Sequence, residues 1–102
     1  MYVVSVLYPN TPGKHFDLTY YTGHHLPLVR RLLDPAGLRA LTFYQPTETA
    51  PDAPFRLVAE LRFDDARAAR AALGAHGAET QADIPNFTDE APIILMAALT
   101  TG

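Results

Sequence analysis

Residues 55–63, FRLVAELRF, carry the strictest alternation in the chain, and they constrain its fold more than any other stretch. Phe55, Leu57, Ala59, Leu61 and Phe63 share one parity, while Arg56, Val58, Glu60 and Arg62 share the other. Successive side chains of a strand point to opposite faces, so this run is a β-strand with one apolar and one mixed face. An antiparallel sheet suits it, because such a sheet packs one face and leaves the other to solvent or a partner.

The flanking segments supply the rest of the sheet and its cover. Residues 2–8, YVVSVLY, are β-branched and aromatic, end at Pro9, and read as a first strand. PNTPGK (9–14) is a turn cluster. Asp17 is placed as the N-cap of a helix from Leu18 to about Leu33, complicated by Pro27 and stopped by Asp34-Pro35 and Gly37. LRALTFYQ (38–45) reads as a second strand, and PTETAPDAP (46–54) as a hairpin-type connection to the third, FRLVAELRF. Asp64 or Asp65 caps a second helix, ARAARAALGAH, with Gly77 at a left-handed stop and Ala66, Ala69, Leu73 and His76 along its inner stripe. AETQADIPNFTDEAP (78–92) is irregular, with room for a short turn of helix, and PIILMAAL (92–99) is the last strand.

The order is βαββαβ, which implies a single α+β domain over residues 1–102 of the ferredoxin-like type: a four-stranded antiparallel sheet with two helices on one face. Those helices cover only one side. The first and last strands carry apolar residues on both parities, so the other side is an apolar face too large for a comfortable monomer. Two sheets packed face to face, as a dimeric α/β barrel, cover it. At 102 residues the core is thin, and without cysteine neither disulfides nor thiolate zinc sites can reinforce it. Association of two copies through the open sheet face is the remaining supplement.

Eight Lys and Arg against eleven Asp and Glu give a formal net charge of −3, which speaks against nucleic acid as a partner. No apolar run approaches the ~20 residues of a membrane span, and the N-terminal segment reads as a strand, not a signal peptide. The expectation is a cytoplasmic protein without membrane contact. No Gly-rich nucleotide fingerprint, HxxxH pair or carboxylate cluster is present, and one histidine is a poor signal for haem, so neither metal nor cofactor is expected.

The chemistry-bearing stretch is FDLTYYTGHHLPLVRR (16–31). At ~100° per residue, Leu18, Tyr21, His25, Leu28 and Leu32 fall on one stripe. His24 falls beside Tyr20 and Arg31 on a polar flank. His25 thus points inward, where it suits a general base or hydrogen-bond donor, while His24 points outward. Alternatively, His25 bonds a backbone carbonyl or the DIPNFT loop and only pins the helix. His15 and His76 read as structural or solvated. In DIPNFTD (83–89), Asp83 and Asn86 suit Asx-type bonds, Pro85 sets a corner, and Ile84 and Phe87 can anchor it. That loop either closes the barrel end or brings Asp83, Asn86 and Phe87 to a pocket mouth near His25. Arg56, Glu60 and Arg62 are either a polar pocket lining or an inter-subunit ion-pair set.

Three stretches resemble the EthD family, named for an ethyl tert-butyl ether degradation cluster and placed among the dimeric α+β barrels. They are VSVLYPNTPGKHFDLTYYTGHHLPLV (4–29), the Phe63-Asp64 step, and ADIPNFTDEAPIIL (82–95). Phe16, Asp17, Tyr20, Tyr21, His25 and Pro27 match the first family motif; Asp83, Pro85, Asn86, Phe87 and Thr88 match the second. The histidine two residues before the proline is His25; His24 is outside the pattern. The resemblance implies an oxidoreductase or a cofactor-free acid–base enzyme for a small apolar or aromatic metabolite. His25 is then base or donor, Tyr20 and Tyr21 orient the substrate, and Asp83, Asn86 and Phe87 line the pocket; Arg56 and Arg62, outside both motifs, are pocket candidates from their strand face alone. The alternative is a non-catalytic barrel that binds a small molecule. Related barrels host several chemistries, so the fold implies none of them.

Overall fold

In the computed structural model, which describes residues 1–46 and 53–102, the strictly alternating strand β3 (Phe55–Phe63) lies inside a four-stranded antiparallel sheet. Its companions are β1 (Tyr2–Pro9), β2 (Ala40–Tyr44) and β4 (Ile93–Ala98), in the order β2-β3-β1-β4. The hairpin-type connection expected at 46–54 falls mostly outside the described residues. Val4, Val6 and Tyr8 stand opposite Leu61, Ala59 and Leu57, so one parity of β1 and one of β3 form a continuous row on the same face. Helical segments cover that face, completing the βαββαβ ferredoxin-like α+β fold.

The first helical run departs from a plain α-helix in an informative way. Asp17 caps it, its carboxylate accepting the Tyr20 N–H at 3.1 Å. After α1 (Leu18–Tyr20) the chain opens into a π turn over Tyr21–His25, where the Leu26 N–H bonds the Tyr21 carbonyl, before α2 (Leu26–Leu33). Pro27 has no N–H for the Gly23 carbonyl, and the wider turn directly before it accommodates that break. The extra residue also shifts the helical phase. Tyr21, His25, Val29 and Leu33 are the buried positions, whereas Leu28 and Leu32 are only half-buried and Leu18 is exposed. Of the constant 100° stripe only Tyr21 and His25 are therefore buried, and after the π turn the buried face passes to Val29 and Leu33. Gly37, at φ +115°, closes the run in a left-handed conformation.

Helix α3 (Ala66–Ala82) is longer than its sequence stop signal suggests. Asp65 is the cap, accepting the Ala68 N–H at 2.8 Å. Gly77 does not end the helix: it keeps helical geometry and is buried inside it. Ala78, Glu79 and Gln81 are good helix formers and carry the helix on until Pro85, which sits in a 3₁₀ turn over Ile84–Asn86. Its buried positions are Ala69, Ala72 and Gly77, while Ala66, Leu73 and His76 are half-buried.

Two buried clusters result. One is aliphatic, built on Val4, Val29, Leu33, Leu61 and Phe63 with the small Ala69 and Ala72 of α3. The other is aromatic, built on Tyr8, Tyr21 and Phe87 with Leu57 and Ala59. Strand β4 belongs to neither: all six of its residues are exposed.

Candidate active site

The extension of α3 to Ala82 brings Asp83 over the π turn. Its Oδ2 lies 2.9 Å from His25 Nδ1, and its Oδ1 accepts the Tyr20 hydroxyl at 2.7 Å and the Asn86 amide at 2.9 Å. Tyr20 and His25, five residues apart, thus reach one carboxylate. The loop holding Asp83 is fixed to the start of the helical run. The Asp17 N–H donates to the Phe87 carbonyl at 2.7 Å, and the buried Thr88 hydroxyl donates to the His15 carbonyl at 2.6 Å. Phe87 is fully buried beneath the group, with its ring 4.5 Å from that of His25 and 5.2 Å from that of Tyr21.

The electrostatics of the pair follow from its surroundings. His25 is 5% exposed; desolvation disfavours its imidazolium and lowers its pKa below 6.5, with Asp83 opposing the shift. Burial also works to raise the Asp83 pKa, but hydrogen bonds from Asn86, Tyr20 and His25 outweigh it and hold the carboxyl below its ordinary range. The Tyr20 phenol is pushed up, chiefly by its hydrogen bond to Asp83. At neutral pH the carboxylate can only accept, so a neutral His25 carries its proton on Nδ1 and its lone pair on Nε2.

His25 lines a cavity of about 350 Å³, within the usual range for small-molecule sites. The cavity lies between sheet and helices, where the aliphatic and aromatic clusters meet. Val4, Val6 and Leu61 form its floor, Val29 and Gly77 its helical walls. Among the described residues no Asp, Glu, Lys or Arg lines it. A shallower depression of about 500 Å³, bordered by Pro85, Thr88 and Glu90, shares Gln81, Ile84 and Ile94 with it.

The residues singled out from sequence divide sharply. His25 and Tyr21 line the cavity; Tyr20, Asp83, Asn86 and Phe87 stand behind His25 and hold it instead of facing the cavity. Arg56 and Arg62 do not belong to it. Arg56 donates to the Lys14 carbonyl at 3.0 Å and lies over the Phe16 ring, and Arg62 pairs with Glu60 at 3.1 Å on the far side of the sheet. The cause is parity: this cavity sits under the helices, and β3 turns Arg62 away from them. His24 is exposed and stacks on Tyr20 at 4.9 Å. Sequence reasoning missed Tyr8, which is 1% exposed and lines the cavity at the end of the Val4–Val6 row. Its shared parity with those valines was the available signal.

A family model described as the EthD domain matches residues 14–91. Among solved structures, the chain is similar to an EthD-like protein from Ralstonia eutropha JMP134, at 33% identity and a TM-score of 0.84 over 98% of this chain and 92% of that one. It is also similar to an ethyl tert-butyl ether degradation (EthD) family protein from Bacillus halodurans C-125, at 21% identity and a TM-score of 0.76 over 98% and 99%. A monooxygenase from Streptomyces coelicolor, solved with the ligand nanaomycin D, shares the fold at 16% identity and a TM-score of 0.65 over 99% and 88%. No curated protein matches the sequence.

Proposed function

Because the chain belongs to the EthD domain family, we propose that it binds a small neutral, apolar or aromatic metabolite under its helices and acts on it by acid–base chemistry at His25. One observation carries this reading: a buried imidazole, fixed through Nδ1 to Asp83 at 2.9 Å, lines a cavity of ligand size. Nε2 is then a proton acceptor in an apolar surround, the disposition expected of a general base. Tyr20 and Asp83 act as positioning residues. That a barrel of this fold from S. coelicolor takes a ligand is in keeping with the reading. The family's oxidoreductase description needs an electron acceptor in addition to the base.

Turnover of a panel of phenolic and quinone compounds, followed with oxygen uptake, tests the proposal against His25→Ala. Loss of turnover in the variant is the expected result, and unchanged turnover removes His25 as the base. A second reading, a non-catalytic binding protein, is favoured by a cavity wall without Asp, Glu, Lys or Arg among the described residues; it predicts saturable binding with no conversion by the wild type. For assembly, the exposed Ile93, Leu95 and Tyr44 favour a homodimer through the open sheet face. A monomer in light scattering at micromolar concentration refutes that. No helix among the described residues is long and apolar enough to cross a membrane, and a cytoplasmic location is proposed with the rest; fractionation of the native host checks it.

A further inference from the structure

We propose that Tyr8 and Tyr21 form a pair of hydroxyl donors that bind the carbonyl oxygen of an enolisable ketone held in this cavity with its acidic carbon toward His25. The inference rests on the reading of His25 as base and adds to it a second half of the site and a substrate class.

Both tyrosines are 1% exposed, both line the cavity, and their rings meet edge to face at 5.9 Å. Neither hydroxyl has a hydrogen-bond partner among the described residues, whereas the neighbouring Tyr20 hydroxyl is bound to Asp83 at 2.7 Å. Buried hydroxyls are nearly always satisfied, and neither of these oxygens is among the sealed, unpartnered polar atoms, which are Arg62 Nε and Glu90 Oε2 among the described residues. Each hydroxyl therefore keeps open space beside it, and on the cavity that both residues line an occupant can supply the acceptor. Burial pushes both phenols well above the ordinary tyrosine value, with Tyr8 adding to the shift of Tyr21, so both keep their protons and donate.

The rest of the lining narrows the ligand. No cationic side chain among the described residues is there to neutralise a carboxylate or phosphate, so the accepted oxygen is an uncharged one. The Tyr21 ring stacks on that of His25 with centroids 5.5 Å apart, so one residue of the donor pair is a direct neighbour of the imidazole. Two donors and one acceptor, on a lining whose other polar side chains are Gln81 and Thr80, the latter donating to the Gly77 carbonyl at 2.9 Å, complement a molecule that combines a carbonyl with an acidic C–H. Nε2 takes the α-proton; the C–H pair becomes the C=C bond, and the carbonyl π pair moves to oxygen, where the two hydroxyls hold it. The proton returns from Nε2 to carbon at the same or a conjugated position. The net result is exchange or isomerisation, balanced without oxidant or reductant.

2-Tetralone, an enolisable bicyclic ketone, and naphthalene, a hydrocarbon of similar shape, are the probes. In D₂O the wild type is expected to accelerate α-deuterium exchange into 2-tetralone. Tyr8→Phe and Tyr21→Phe, which keep the ring packing, are each expected to slow it about 10- to 1000-fold. They should weaken 2-tetralone binding while leaving naphthalene binding unchanged, a split that a purely structural role would not produce. If the wild type binds 2-tetralone through the two hydroxyls but exchanges nothing, the donor pair stands and the base reading falls. If exchange is accelerated by the wild type and untouched by both Phe variants, the base stands and the donor pair falls. Failure of the wild type to bind 2-tetralone, or equal weakening of both probes, also overturns the donor pair.

Discussion

Replacing Asp83 by asparagine changes one oxygen into an NH₂ group and leaves the shape of the side chain intact. The carboxylate accepts three bonds, from His25 at 2.9 Å on one oxygen and from Tyr20 at 2.7 Å and Asn86 at 2.9 Å on the other. Asparagine offers a single acceptor oxygen. If that oxygen stays with Tyr20 and Asn86, the new NH₂ faces Nδ1 of His25, and all three bonds survive only when the ring moves its proton to Nε2. In the flipped arrangement donors confront donors and at least one bond is lost. The first arrangement is therefore favoured, and it presents the cavity with a donor in place of a base.

The cost has two parts. Bonds to a charged group contribute about 1.5–3 kcal/mol each and neutral ones about 0.5–1.5, so neutralising this partly buried carboxylate should destabilise the fold by roughly 1–3 kcal/mol. Fixing the wrong tautomer in a histidine–carboxylate pair can lower turnover by about 10⁴-fold, and a loss of at least about 100-fold is expected here. Urea denaturation measures the first quantity, and long-range ¹H–¹⁵N spectra of His25 report the tautomer directly. An Asp83→Asn protein that keeps the proton on Nδ1 and retains full exchange activity refutes the reasoning.

Four further outcomes follow from the same geometry. The His25 pKa is lower in the fold than the ordinary 6.5, so between the two values the unfolded chain binds more protons. Its contribution to stability is complete above pH about 6.5 and is lost as pH falls through the folded value; Asp83, likewise lowered, adds to the loss at more acid pH. Denaturation midpoints from pH 8 to 5 should fall, and His25→Gln should flatten the upper part of that fall. Phe87→Ala removes the fully buried ring under His25 and Tyr21 and should cost about 3–5 kcal/mol, read by thermal or urea unfolding. Gly74→Ala, with open space around the added methyl, should stabilise α3 by about 0.5–1 kcal/mol without touching binding. Gly77→Ala, where the methyl meets only Leu73 at 3.8 Å, should stabilise similarly but trim the cavity and weaken ligand binding.

What the sequence made legible, and what it did not, has physical causes. The βαββαβ order and the bounds of β3 followed from periodicity, because a half-buried antiparallel strand repeats its pattern every second residue. The inward turn of His25 was readable from its spacing to Tyr21. The flank beyond it was not, since the π turn adds a residue that no 100° count contains, and Val29 and Leu33 replace Leu28 and Leu32 in the core. Gly77 looked like a stop because glycine usually serves as one; inside α3 its missing side chain instead helps open the cavity. The contact between His25 and the DIPNFT segment was a stated alternative to catalysis. The structure combines that contact with a cavity-lining imidazole, so pinning and chemistry are not exclusive. Arg56 and Arg62 do not line this cavity, since β3 carries Arg62 on the face away from the helices, where it pairs with Glu60. Tyr8 shares the parity of Val4 and Val6, but only the fold shows that this row ends on a cavity.

The central claim is that a molecule in the cavity meets a lone pair on His25 Nε2. ¹⁵N spectra of the histidine side chains at pH 7, recorded as 2-naphthol is titrated in, test it most directly. The account predicts a neutral ring protonated on Nδ1 throughout, with the Nε2 resonance moving saturably as it accepts the naphthol proton in a hydrogen bond. A ring protonated on Nε2 in the free protein, or an Nε2 resonance unmoved at saturation, contradicts it.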